Sequence, residues 1–240
     1  ATQKAYKVNK TALNVVLGAA FSWLDDHTLL YKTIIKPASA MPKRPITPKG
    51  PTVQESYGSA APRPTFQDMI KSPYDEALFE FFTTAQLVKN VNGVETKINQ
   101  PAIYSSVSPS PDKKYWLVRT INKPFSYVVP ANGFNATVAI HDANGKFVKE
   151  MAKLPSAETA PAGNDNVADV PRSIEWRDDE AATIVWCKPL DGGLIKNTAE
   201  YRDAVYALAA PFTAQPKELF KTKMRYGGTT WGNSSFALVQ

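Results

Sequence analysis

Six residues have the type and placement to grip an incoming ligand: Arg119, Lys123, Phe125, Tyr127, Arg172 and Arg225. A guanidinium pairs with a carboxylate through two parallel hydrogen bonds, and a lysine adds a compact charge. Phenylalanine and tyrosine rings offer a face to stack on. Arg119 stands near the end of the apolar run YWLVRTI, which leads into NKPFSY. Arg172 immediately precedes SIEW, and Arg225 lies just before YGGTTW. Two readings are open for the arginines: a ligand-facing cluster, or structural ion pairs with the many aspartates of the turns.

Nothing else has the spacing of a catalytic apparatus. The string nearest to G-x-S-x-G is GNSSF, which lacks the second glycine. His27 falls in a turn and His141 in an apolar run ahead of Asn144-Gly145, and neither has a motif partner. One cysteine and two distant histidines cannot assemble a zinc site, so no metal is expected. No P-loop or G-x-G-x-x-G occurs, so no cofactor is expected either. Cys187, inside TIVWCKPL, reads as buried and inert. The pairs Asp25-Asp26 and Asp178-Asp179 look like catalytic carboxylates, but a repeat in the chain accounts for them.

Aligned on one residue, four stretches share a pattern: AFSWLDDHTLLY at Asp25, SVSPSPDKKYWLV at Asp112, SIEWRDDEAATIVW at Asp178 and GTTWGNSSFALV at Asn233. Each is a short apolar strand, a Trp or Ser two residues before Asp or Asn, a tight polar turn, and a second apolar strand. Asp and Asn suit the turn because their side chains bond backbone amides two residues on. The Trp supplies a large face for packing against a neighbouring sheet. Two more strand-like runs follow each complete unit: ALFEFFTTAQLVKNV and GVETKI, then FNATVAIHDA and GKFVKEMAKL, then YRDAVYALAA and PKELFKTK. The first two pairs are divided at Asn92-Gly93 and Asn144-Gly145, the strongest short signal for a hairpin.

Repeated four-stranded meanders predict an all-β chain, a partial β-propeller. A β-sandwich would account for the strands but not for the recurring Trp-x-Asp. Three complete antiparallel blades are expected, near 18–98, 103–153 and 173–221, with partial blades at 3–9 (from the run KAYKVN) and 226–240. Propellers close with about four to eight blades, so residues 1–240 read as one segment of a longer propeller. The first strand of a blade lines the central channel, which would set the three arginines near the axis or its mouth. Residues 37–77 form a proline-rich insertion in the first blade, either a flexible decoration or an arm that docks a partner. One short helix is expected there, capped by Thr65 with Asp68 in its first turn and stopped by Pro73.

The net charge of +6 is compatible with nucleic acid, but the basic residues are scattered and no nucleic-acid module is recognisable, so no nucleic-acid partner is expected. No window reaches the ~18 apolar residues of a membrane span. The N-terminus, ATQKAYKVNKT, has no apolar run of the kind a signal peptide needs.

Seven strings in order, FSWLDD, PKGPTVQES, TFQDMIKSPYDEALFEFF, YSSVSPSPD, PFSYVVP, PRSIEWR and LDGG, resemble the prolyl oligopeptidase family of serine peptidases, in its glutamyl endopeptidase-like branch. The resemblance covers essentially the whole chain but only part of that family's N-terminal propeller. It implies that a C-terminal α/β-hydrolase domain elsewhere in a longer protein carries the Ser-Asp-His triad. None of the triad maps onto this sequence, so no catalytic residue is expected here, and the segment alone is not expected to be an enzyme. What the resemblance implies is an accessory role, gating and contacting peptide substrates, in a periplasmic or secreted parent. The family's Pro-Asp-Gly turn stands here as Pro111-Asp112-Lys113, which is less suited to positive φ. An alternative function is a stand-alone scaffold binding a peptide, glycan or protein through its loops. In either case unpaired strands at the open blade edges invite self-association.

Overall fold

The computed structural model describes residues 7–46, 66–233 and 236–240. Its first hairpin joins β1 (Phe21–Asp25) to β2 (Thr28–Ile34). The turn is the expected one: Asp25 Oδ1 accepts from the His27 amide at 2.7 Å. The chain then crosses the proline-rich insertion to α1 (Pro73–Thr83), β3 (Ala85–Val91) and β4 (Val94–Pro109). Asn92 and Gly93, at φ 50° and 87°, make the β3–β4 hairpin in the doubly left-handed form that Asn-Gly favours. There follow β5 (Tyr115–Ile121), β6 (Ala136–Asp142), β7 (Phe147–Leu154), β8 (Arg172–Trp176), β9 (Thr183–Pro189), β10 (Asp203–Ala209), β11 (Lys217–Thr222), β12 (Thr229–Asn233) and β13 (Phe236–Val239).

The strands pair as antiparallel meanders: β1 to β7 in order in one sheet, β8 to β11 in a second, and β12 with β13. The fold is a partial all-β propeller. The seven-stranded sheet is two meanders sharing β4. One strand runs where the sequence divides into two runs: its first part pairs with β3 up to Ala102, and Ile103 onward pairs with β5. At the handover Asn99 takes φ 57° and the register shifts, so Pro101 falls where no ladder donor is needed.

Apolar layers lie between successive meanders. Leu30, Leu87 and Ile98 pack on Tyr104, Trp116 and Val118. Leu117 and Ile140 meet Trp176, Ile184, Trp186 and Phe212 across the next seam. Val185, Cys187 and Val205 meet Tyr226 and Trp231 across the third. The repeated Trp acts on the meander before its own. Trp176, 7% exposed, donates its indole N–H to the Ser108 carbonyl at 3.0 Å. Trp231 takes the Arg177 guanidinium on its ring, 4.0 Å from the centroid. Trp23, in the first meander, is 57% exposed.

Two expectations are corrected. The helix begins at Pro73 instead of ending there, and it takes residues through Thr83 that read as strand. Proline lacks only an amide that the first helical turn leaves unbonded, so it opens a helix as readily as it stops one. Ser72 is the N-cap, accepting from the Asp75 amide at 3.2 Å, and Asp75 and Glu76 suit the positive end of the helix dipole. The helix closes against Asn14, whose side-chain amide donates to the Phe82 carbonyl at 2.9 Å. Second, the run KAYKVN forms no strand over residues 7–9, and its earlier part lies outside the described residues, as do Thr65 and most of the proline-rich arm. The tail of this run lies along the first meander, where the Asn90 side chain donates to the Val8 carbonyl at 3.3 Å.

Candidate functional site

Contacts among the long connections gather them at one end of the stack: Lys123 pairs with Glu80, Ser126 Oγ donates to Glu158 Oε2 at 2.7 Å, and the Val167 amide donates to the Gly193 carbonyl at 2.9 Å. At that end emerge the long segments 35–84, 122–135, 155–171 and 190–202. The opposite end carries the short Asp and Asn-Gly turns together with the 210–216 loop. All six candidate residues lie at the long-loop rim: Arg119 near the end of β5, Arg172 opening β8, Arg225 ahead of β12, and Lys123, Phe125 and Tyr127 in the connection after β5.

Arg172 and Arg225 realise the structural reading. Two aspartates with fully buried side chains, Asp191 and Asp203, sit among three arginines. Arg225 holds Asp191 through both oxygens, at 2.9 and 2.8 Å, and reaches Asp203 at 3.3 Å. Its Nε donates to the Asp165 carbonyl at 2.7 Å. Arg202 adds a bond to Asp191 at 3.0 Å. Arg172 pairs with Asp203 and donates to the Tyr226 carbonyl at 3.1 Å and to Cys187 Sγ at 2.8 Å. Burial by itself would raise the Asp191 carboxyl, but the bonds from Arg225 and Arg202 outweigh it and hold the group below the ordinary carboxylate range. Burial pushes the Cys187 thiol up to about 11, against the opposing Arg172 charge, so the thiol stays protonated and unreactive. The network ties the 165, 191 and 225 regions to β8 and β10, and it fixes the rim of the third meander.

The remaining candidates cluster on α1. Phe125, 5% exposed, is a packing residue: its ring stacks on Phe134 with centroids 5.6 Å apart and meets the edge of Phe79, from the helix, at 4.9 Å. Lys123 lies over the Phe125 ring at 5.7 Å and pairs with Glu80 at 2.7 Å, on the exposed side. Tyr127 is half-buried, and its phenol is raised above its ordinary value by burial and by its hydrogen bond to Glu76. The loop between them is stiff, since Ser126 Oγ accepts from the amides of Val128 at 3.0 Å and Val129 at 3.2 Å. Arg119 donates to the Asn132 carbonyl at 3.2 Å, which fastens the far side of the same loop to β5. A cleft of about 290 Å³ opens beside it, between Glu80, Pro101, Asn122 and Lys123. Of the histidines, His141 is a packing group, with its Nδ1 3.1 Å from the Gly145 carbonyl and its ring edge-on to Phe147, while His27 is exposed in the β1–β2 turn.

Sequence reasoning overlooks Asp191, Arg202, Asp203 and Lys32. The first of these was signalled by the Asp191-Gly192-Gly193 turn, in which Asp191 Oδ1 accepts from the Gly193 amide at 3.0 Å. Lys32 was signalled by strand alternation: in TLLYKTI it shares the face of Leu30, which is core.

Two proteins named probable glutamyl endopeptidase, chloroplastic, are similar to this chain. The one from Oryza sativa subsp. japonica is 38% identical over 238 residues, covering 98% of this chain and 25% of its own length. The one from Arabidopsis thaliana is 37% identical over 224 residues, covering 92% and 23%. The chain spans about a quarter of the length of these relatives. No family model and no solved structure matches. Over the part that it spans, the chain belongs to the glutamyl endopeptidase-like branch of the prolyl oligopeptidase family.

Proposed function

We propose that this chain is a non-catalytic propeller segment of a serine peptidase, gating the access of peptides to an α/β-hydrolase domain carried in another part of a longer protein. The observation that carries the reading is the two-sidedness of the molecule. A rigid stack of meanders has one plain end and one end where every long connection gathers, with Lys123, Tyr127 and the α1 carboxylates displayed there. Loops on a rigid scaffold are where a protein meets its ligands. The names of the similar proteins supply the chemistry, hydrolysis of glutamyl peptides, and the family resemblance supplies the division of labour. On this reading peptide substrates and the hydrolase domain are the partners, and the parent is periplasmic or secreted, although the relatives' names place those two proteins in the chloroplast.

Assay of the 240-residue chain and of a longer protein containing it, on the same internally quenched glutamyl peptide, tests this. The expected result is turnover by the longer protein alone, abolished there by a serine-directed fluorophosphonate. Turnover by the 240-residue chain that the same reagent stops would overturn it.

A further inference from the structure

Lys32 is a cation inside the protein with no anion paired to it among the described residues. It lies on β2, facing the second meander, and is 5% exposed. Its backbone is pinned on both sides, the amide to the Ala20 carbonyl at 2.9 Å and the carbonyl to the Asn14 amide at 2.8 Å. Among the described residues its ammonium donates to one group, the Leu17 carbonyl, which leaves two of its three hydrogens for other acceptors. Among the described residues no carboxylate is paired with it, and desolvation alone accounts for a lowering of its pKa. A buried unpaired charge is costly and is kept where it serves binding.

Lys32 lines a cavity of about 200 Å³ between β1 and the second part of β4, the innermost strands of adjacent meanders. That is several times the ~30 Å³ of a water molecule, enough for a short acidic side chain. The walls combine small residues, Gly18, Ala20, Ser22, Ser105 and Ser106, with the apolar faces of Phe21, Leu30, Leu87 and Tyr104, so that Lys32 is the one charged group in a mainly apolar lining. Gly18 takes φ 56° and lies so close to the neighbouring strand that a Cβ would stand 2.5 Å from the Ser105 carbonyl. The segment carrying Leu17 is thereby pressed on to the second meander as one wall. The cavity sits at the start of β1 and of β4's second part, the end from which the long connections leave.

We propose that this cavity is a carboxylate-binding pocket with Lys32 as its floor and the Ser22 and Ser106 hydroxyls at its mouth, and that the carboxylate it receives is an acidic side chain of a peptide held at the rim. The pocket stands on its own geometry; only the peptide as source rests on the function proposed above.

The test is calorimetric titration of the chain with three probes: Ac-Ala-Glu-Ala-NH2, its glutaminyl isostere, and glutarate. The glutamyl peptide should bind about tenfold or more tightly than the glutaminyl one, the margin of a charge-assisted contact. Lys32→Met should abolish the preference while raising the melting temperature, because it removes an uncompensated buried charge. A lysine needed only for the fold would give the opposite shift in melting and no change in preference. Ser106→Leu, at an exposed mouth position, should block binding with melting unchanged, and it keeps the test open if Lys32→Met fails to fold. Equal binding of the two peptides, with no Lys32-dependent binding of glutarate, overturns the proposal. Lys32-dependent binding of glutarate without binding of the glutamyl peptide keeps the pocket and overturns the peptide-holding function.

Discussion

At the scale of single residues, Lys113 shows how a local departure from a turn's preferred chemistry is absorbed. It follows Asp112, whose carboxylate accepts from Ser110 Oγ at 2.7 Å and from the Lys114 amide at 3.1 Å, and it is left at φ 62°. A side chain in that region costs about 1–2 kcal/mol, which glycine would avoid at the expense of greater freedom when unfolded. Lys113→Gly should therefore stabilise the chain by about 1 kcal/mol, read as a higher denaturant midpoint at unchanged slope. The strain was legible from the string Pro111-Asp112-Lys113. The fate of Arg172 and Arg225 was not, because their partners Asp191 and Asp203 come from other turns and strands, and only the folded chain brings them within reach. Lys32 lay between these cases: alternation put it on a buried face, while the lack of a carboxylate beside it among the described residues is a property of the packing.

At the scale of elements, period-two patterning and the Asn-Gly turns located most strands, since both signals are local to the hairpin that they build. The helix was misplaced because its apolar side, read as a continuation of a strand, packs on the 125–134 loop and on Ile103 and Ile121 at the strand ends instead of pairing in a sheet. Phe79 packs edge-on against Phe125 and Phe134 at 4.9 and 5.5 Å, at the rim of a small cluster with Ile103 and Ile121, and the remaining ties of the helix are polar ones from Asn14 and Lys123. Phe79→Ala should cost about 3 kcal/mol, and the loss should be local. Hydrogen exchange would show amides of Ala77–Thr83 losing protection while those of β5 and β6 keep theirs. Uniform loss across the sheet would mean instead that α1 belongs to the same cooperative unit as the core.

At the scale of the whole molecule, both flanks carry uncovered apolar side chains, Phe21 and Trp23 on the first strand and Phe236 and Leu238 on the last. Their strands also end their sheets with unpaired backbone groups. We expect two copies to meet through these flanks, so that light scattering shows the mass rising above that of the monomer with concentration; a constant monomer mass would refute this. The sharing of β4 has a mechanical consequence. The first two meanders face each other across an apolar layer and are also joined through β4, whose ladder passes from β3 to β5 between Ala102 and Ile103. The third adjoins that pair without any shared strand, through packed side chains, the Trp176 bond and a backbone contact from the Asp112 amide to the Ala181 carbonyl at 2.9 Å. Any bending of the assembly is therefore articulated at the seam between β7 and β8, where the 155–171 segment crosses like the strap of a hinge, and the carboxylate pocket, lying between the two meanders that share β4, keeps its shape while the rim beyond it moves.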